Sequence, residues 1–122
     1  MPLTVLIVDD TRFTRRKLSD MVKSVYPDTV ITEAEDGQQA LDEIAKTKFD
    51  LMLLDLNMPV FNGFQTLERL QQAKSTLPVV VLSANIQDKA VERTLSLGAM
   101  DFMGKPPEME KLKRILESIV AK

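Results

Sequence analysis

Residues 50–63 read DLMLLDLNMPVFNG. Positions 51–54 are apolar without a break. A strand with one wet face alternates polar and apolar side chains. This run has no polar parity, so residues 50–54 are predicted to form a strand buried on both faces, with Asp55 directly at its carboxyl end. Residues 3–8 (LTVLIV) and 79–83 (VVVLS, preceded by Pro78) have the same character. Residues 100–103 predict a shorter strand, and residues 29–34 a weaker one of alternating, edge type.

Between the strands the period changes. Leu18, Met21, Val22 and Val25 share one helical face after Thr11, a candidate N-cap, and Tyr26-Pro27-Asp28 stops that helix. Asp36 with Gln39, and Asn62 with Gln65, have the spacing of a capping box. Ala40, Leu41, Ile44 and Ala45 mark the core face of the first of these two helices, and Phe64, Leu67 and Leu70 that of the second. Asn85 and Asp88 open a fourth helix that ends at Gly98 as its C′ residue. Pro107 suits N1 of a fifth, whose stripe is Leu112, Ile115, Leu116, Ile119 and Val120. Five strand–helix units with buried strands predict an α/β fold, a doubly wound parallel sheet with five helices over its two faces. Periodicity does not give strand order; the flavodoxin-like order 2-1-3-4-5 is the leading candidate for five strands. Residues 1–122 are expected to form a single domain.

Composition excludes much chemistry. With 44% hydrophobic and 28% charged residues and a net charge of −2, the chain has an ordinary globular balance, with no basic excess to suggest nucleic acid. No apolar run approaches the ~18 residues needed to span a bilayer, and no signal peptide is visible, so the expected compartment is the cytoplasm. There is no cysteine and no histidine. Disulfides, zinc clusters, thiol nucleophiles, His-based triads and imidazole bases are thereby removed. A metal would be held by oxygen, and a nucleophile would be a carboxylate, hydroxyl or lysine.

The polar residues after the strands are the informative ones. Asp9 and Asp10 follow the first strand, Asp55 the third, Ser83 ends the fourth, and Gly104 and Lys105 follow the fifth. In an open parallel sheet these ends share one rim, where ligands bind at the switch in strand order. If the first and third strands are neighbours, three carboxylates converge there. Each pair at ~4 Å repels by about 4 kcal/mol at an effective dielectric of about 20, so compensation is required. Lys105 supplies one positive charge and Mg²⁺ would supply two, leaving room for phosphate oxygens. An Asp oxygen can attack phosphorus to give an aspartyl phosphate, a transfer that needs positioning and charge neutralisation more than acid–base work. Mg²⁺, Lys105, the Ser83 hydroxyl and backbone N–H groups after Asp55 could supply these. Asp9 and Asp10 are placed to share the cation. Asp55 stands alone before a loop ending at Gly63 and is expected to be the nucleophile, with the Asn57 backbone carbonyl as a further metal ligand.

At these residues the chain resembles the receiver domain of bacterial response regulators. The matching pieces are LIVDD (6–10), DLMLLDLNMPVFNG (50–63), VVVLSA (79–84) and GAMDFMGKP (98–106), and the resemblance covers essentially the whole chain. It implies the 2-1-3-4-5 sandwich, Asp55 as the phosphorylated aspartate, and Asp10, Asp55 and the Asn57 carbonyl as direct Mg²⁺ ligands, with Asp9 acting through water. It implies a cis bond between Lys105 and Pro106, with Lys105 pairing to the phosphoryl group. Ser83 then moves to the phosphoryl oxygen and Phe102 swings in behind it, remodelling a surface of the fourth helix, fifth strand and fifth helix. Phe102 lacks the hydroxyl of the commoner tyrosine, and Asn57 and Asn85 occupy positions that modulate dephosphorylation in the family. The implied donor is a histidine kinase or histidine phosphotransfer protein, in a two-component or chemotaxis-type relay. The implied output is a protein target, with no direct nucleic-acid or membrane contact, and the chain is expected to be a stand-alone monomeric switch.

Other readings of the same features are blander. Arg12, Arg15, Arg16 and Lys17 read most simply as a solvated helix face, or more sharply as the docking surface for the donor. Lys111, Lys113 and Arg114 read as an ordinary exposed face, and the seven methionines as core filling. The alternative function is a small Mg²⁺-dependent phosphohydrolase using the same Asp nucleophile, which would need a substrate pocket and a second acid–base group. A flavin-binding module would carry a Ser/Thr/Gly-rich phosphate loop where Asp9 and Asp10 stand. A pseudo-receiver scaffold would not need the acidic pocket, Ser83 and Lys105 intact.

Overall fold

The computed structural model describes residues 2–56, 62–84 and 88–121, with Asp88 described by its backbone alone. Its elements run β1 (Thr4–Val8), α1 (Arg12–Val25), β2 (Val30–Ala34), α2 (Gly37–Lys46), β3 (Leu51–Asp55), α3 (Gly63–Gln72), β4 (Val79–Ser83), α4 (Asp88–Ser96), β5 (Asp101–Gly104) and α5 (Met109–Val120). The five strands are parallel in the order β2-β1-β3-β4-β5, so the chain reverses its direction of winding between β1 and β3. This is the doubly wound α/β architecture expected.

Two cores explain why the strands are apolar at both parities. Val5, Ile7, Leu51, Leu53, Val80 and Leu82 pack on one face with Leu18 and Val22 of α1 and Leu112, Ile115, Leu116 and Ile119 of α5. Leu6, Val8, Met52, Leu54, Val79 and Val81 pack on the other face with Ala40, Leu67, Leu70 and Phe102. β3 is buried at every position, whereas edge strand β2 leaves Val30 exposed.

The expected elements are all present, with local differences. Asp55 is the last residue of β3 rather than the first after it, and β5 is displaced by one residue to include Gly104. Asp50 lies before β3, where its carboxylate accepts the Thr4 N–H at 2.8 Å. Val120 and Ala45 are exposed, at the trailing edges of their helical stripes. Pro107 lies outside α5, whose N-cap is Glu108. Thr11 is the N-cap of α1 but makes no side-chain cap; its N–H donates instead to the Asp9 carboxylate. Asn62 and Gln65 form the full reciprocal box. Asp36 caps the Gln39 N–H, but the Gln39 side chain reaches one residue further, to the Glu35 N–H at 2.9 Å. Gly98 has φ +100, and the Gly98 and Ala99 N–H groups close α4 onto the Leu95 and Thr94 carbonyls. Asn85 and Asn57 lie outside the described residues.

Candidate functional site

The register aligns the strand ends. Val8 pairs with Leu54, Asp55 with Leu82, and Ser83 with Gly104. The next residue after β1 is therefore level with Asp55, and the next after β5 lies one step beyond Ser83. Asp9, Asp55 and Ser83 are buried, and Asp10 is exposed. One carboxylate oxygen from each of Asp9, Asp10 and Asp55 lies within 4.8 Å of the other two.

Lys105 closes the group. Its Nζ donates to Asp9 Oδ2 at 2.7 Å and lies 3.2 Å from Asp55 Oδ1. Its backbone N–H donates to the Ser83 carbonyl, and its bond to Pro106 is cis, as expected. Burial alone would lower the Lys105 pKa. The hydrogen bond to Asp9 and the charges of Asp55 and Asp9 outweigh that, and the ammonium is held above its ordinary value.

Three carboxylates against one ammonium leave two negative charges at the rim. The donors are all hard oxygens, and one of them faces solvent. That set fits a divalent cation such as Mg²⁺, which binds through one or two carboxylates and retains water.

Asp9 is fixed at four points. Its N–H donates to the Ala34 carbonyl, Oδ1 accepts the Thr11 N–H, Oδ2 accepts from Lys105, and its carbonyl accepts from Arg15 Nη1 at 2.7 Å. Arg15 thus corrects the expectation of a solvated basic face: Arg12, Arg16 and Lys17 are exposed, but Arg15 is buried. The sequence carried a signal for this. Arg15 precedes Leu18 by three residues and Val22 by seven, which puts it on the apolar stripe.

Two further expectations change. The Leu56 N–H continues the ladder to the Leu82 carbonyl, so the first N–H after Asp55 is engaged within the sheet. Lys111 is not simply exposed; its Nζ donates to the Phe102 carbonyl at 2.6 Å and lies 3.3 Å from Asp101 Oδ1. Lys113 and Arg114 are exposed as expected. Phe102 is buried in the core on the face carrying Val81, its ladder partner. Because strand side chains alternate, Ser83 projects to the same face as Val81.

Gly63 sets the distance between α3 and the end of β3. A Cβ there would lie 2.7 Å from the Asp55 carbonyl oxygen and 2.8 Å from Leu56 Cα. The Gly63 N–H donates to the Leu56 carbonyl.

The family model for the response regulator receiver domain matches residues 5–117. A protein-glutamate methylesterase/protein-glutamine glutaminase from Syntrophomonas wolfei is 38% identical over 105 residues, covering 84% of this chain and 29% of that protein. The chain thus spans less than a third of that relative. Among solved structures, the chemotaxis protein CheY4 of Vibrio cholerae is 26% identical with a TM-score of 0.86, covering 98% of this chain and 99% of that one. The signal receiver domain of a DNA binding response regulator from Colwellia psychrerythraea is 25% identical with a TM-score of 0.91, covering 98% and 99%.

Proposed function

The chain belongs to the response regulator receiver domain family, and from that premise we propose that it is a phosphoacceptor switch in which Asp55 takes the phosphoryl group. The observation that supports this reading is the meeting of Asp9, Asp10 and Asp55 within 4.8 Å, with Lys105 bridging two of them.

Asp55 needs no general base, because an ionised carboxylate is already a nucleophile. One of its oxygens bonds to phosphorus, the bond from phosphorus to the donor's leaving atom breaks, and the leaving group departs with that electron pair. Asp9, Asp10 and Asp55, with the Asn57 carbonyl, are the proposed holders of Mg²⁺. The cation would neutralise charge on the transferring group. Lys105 already touches Asp55 and supplies a fixed positive charge to a phosphoryl oxygen there. Ser83 stands one ladder step from the Leu82 partner of Asp55 and supplies a hydroxyl.

The output follows from the shared sheet face. Movement of Ser83 toward a phosphoryl oxygen changes the packing beside Val81 and Phe102. Phe102 then shifts on the α4 side of the sheet, and the surface of α4, β5 and α5 is read by a protein target. The proposed donor is a histidine kinase or histidine phosphotransfer protein in the cytoplasm. Residues 1–122 act as one receiver unit that catalyses only its own phosphorylation and dephosphorylation.

The test is intact-mass measurement after incubation with acetyl phosphate and Mg²⁺. One added phosphoryl group is expected, absent in Asp55→Asn and in EDTA. An unchanged gain in Asp55→Asn contradicts the assignment. Rapid multiple turnover of varied phosphate esters would instead support the phosphohydrolase reading.

A further inference from the structure

Arg15 lies outside the acid cluster yet is tied to it more closely than any other cation of α1. Its guanidinium is buried beneath the rim, with a side chain 8% exposed. Nη1 donates to the Asp9 carbonyl at 2.7 Å, Nε donates to Glu33 Oε1 at 2.8 Å, and Nη2 lies 3.9 Å from Glu35 Oε1. One side chain therefore joins α1, the end of β2 and the residue after β1.

The carbonyl it holds belongs to the peptide unit joining Asp9 to Asp10. That unit is planar and turns as one plate between its two Cα atoms, so holding its oxygen restrains ψ of Asp9 and φ of Asp10 together. Those two torsions set the direction of one carboxylate relative to the other. We propose that Arg15 is a positioning residue for the metal site: it clamps the Asp9–Asp10 peptide so that both carboxylates face Asp55, and Glu33 holds the clamp. The inference rests on the reading of Asp9 and Asp10 as Mg²⁺ ligands.

Charge and geometry predict opposite signs here. A cation near three carboxylates repels Mg²⁺, so removing it tightens binding if charge governs. Glu33 offsets much of that charge, and lost orientation weakens binding if position governs. Lysine separates the two, because it keeps the charge but cannot bond the Asp9 carbonyl and Glu33 in the same fork.

The experiment is calorimetric titration with Mg²⁺ of the unaltered protein, Arg15→Met, Arg15→Lys and the exposed-neighbour control Arg16→Met. Thermal unfolding in EDTA reports whether each variant is folded. Loss of an outer-shell partner typically weakens metal affinity about ten-fold or more, and that loss is expected for Arg15→Met. Arg15→Lys is expected to fall between it and the unaltered protein, and Arg16→Met to match the unaltered protein. Tighter binding by Arg15→Met with unchanged binding by Arg15→Lys overturns the proposal, as does unchanged binding by both. Should Arg15→Met fail to fold, Arg15→Lys alone decides. If the unaltered protein takes up no Mg²⁺, the metal reading falls and this inference with it; normal uptake with indifferent variants removes this inference alone.

Discussion

Lys105 faces two carboxylates with a single charge. Replacing it, as in Lys105→Met, leaves Asp9 and Asp55 with their mutual repulsion and no ammonium between them. Breaking a fully buried pair costs roughly 3–5 kcal/mol. Lys105 keeps 23% side-chain exposure, so the expected loss is smaller, about 2 kcal/mol. Thermal unfolding in EDTA should show that loss, and saturating Mg²⁺ should shrink it; a deficit equally large with Mg²⁺ contradicts the shared-charge account. The pH dependence has a definite sign. The folded pKa of Lys105 lies above the unfolded one, so its contribution is fully present below the ordinary lysine value and disappears as pH rises through the raised value. Between about pH 6 and about pH 9 Lys105 should add no slope to stability. At this scale, the positions of Asp9, Asp10, Asp55, Ser83 and Lys105 were legible because each stands at or just beyond the carboxyl end of a recognisable strand. The partners of Arg15 and Lys111 were not, although the stripe position of Arg15 was. Both bond to backbone carbonyls, and which carbonyl a long cation meets depends on how its helix crosses the sheet.

The junction between β3 and α3 is held by a missing side chain. Gly63 allows the first turn of α3 to rest on the Asp55 and Leu56 backbone. A methyl group there meets backbone atoms that cannot rotate aside. Gly63→Ala should therefore destabilise the fold by about 1–3 kcal/mol, the range of an overpacked core. It should also lower the rate of phosphoryl uptake by displacing Asp55. A denaturation midpoint and an uptake rate both equal to those of the unaltered protein would contradict this. In the sequence, Gly63 was readable only as the end of a loop, because close approach between two backbones leaves no periodic signal. Helix caps were more legible. Asn62 and Gln65 form the reciprocal pair that their spacing implies, since both bonds lie within one turn. Pro107 stands just before the Glu108 N-cap rather than at the first helical position that its missing N–H would suit.

Across the whole molecule, the sheet carries the site. Five apolar runs separated by amphipathic segments were sufficient to predict five parallel strands between two helical layers. Strand order was not in the periodicity, because any right-handed crossover buries the same stripes; the motif resemblance supplied it. The order matters functionally, since the reversal between β1 and β3 opens the rim where Asp9, Asp10 and Asp55 meet. A cation bound there by the folded chain alone stabilises the whole domain by mass action, about 2.7 kcal/mol at one hundred times its dissociation constant. For a domain of this size that is a rise in unfolding temperature on the order of 10 °C, reversed by EDTA and not reproduced by Na⁺ at equal ionic strength. No such shift would count against a metal at this rim. The proposed phosphoryl acceptor is one atom, a carboxylate oxygen of Asp55, and borohydride probes it by reducing an acyl phosphate to homoserine. After phosphorylation and reduction, peptide sequencing by mass should find homoserine in place of Asp55 and nowhere else; homoserine in place of Asp9 or Asp10, or a phosphoryl group retained on Ser83, would contradict the account.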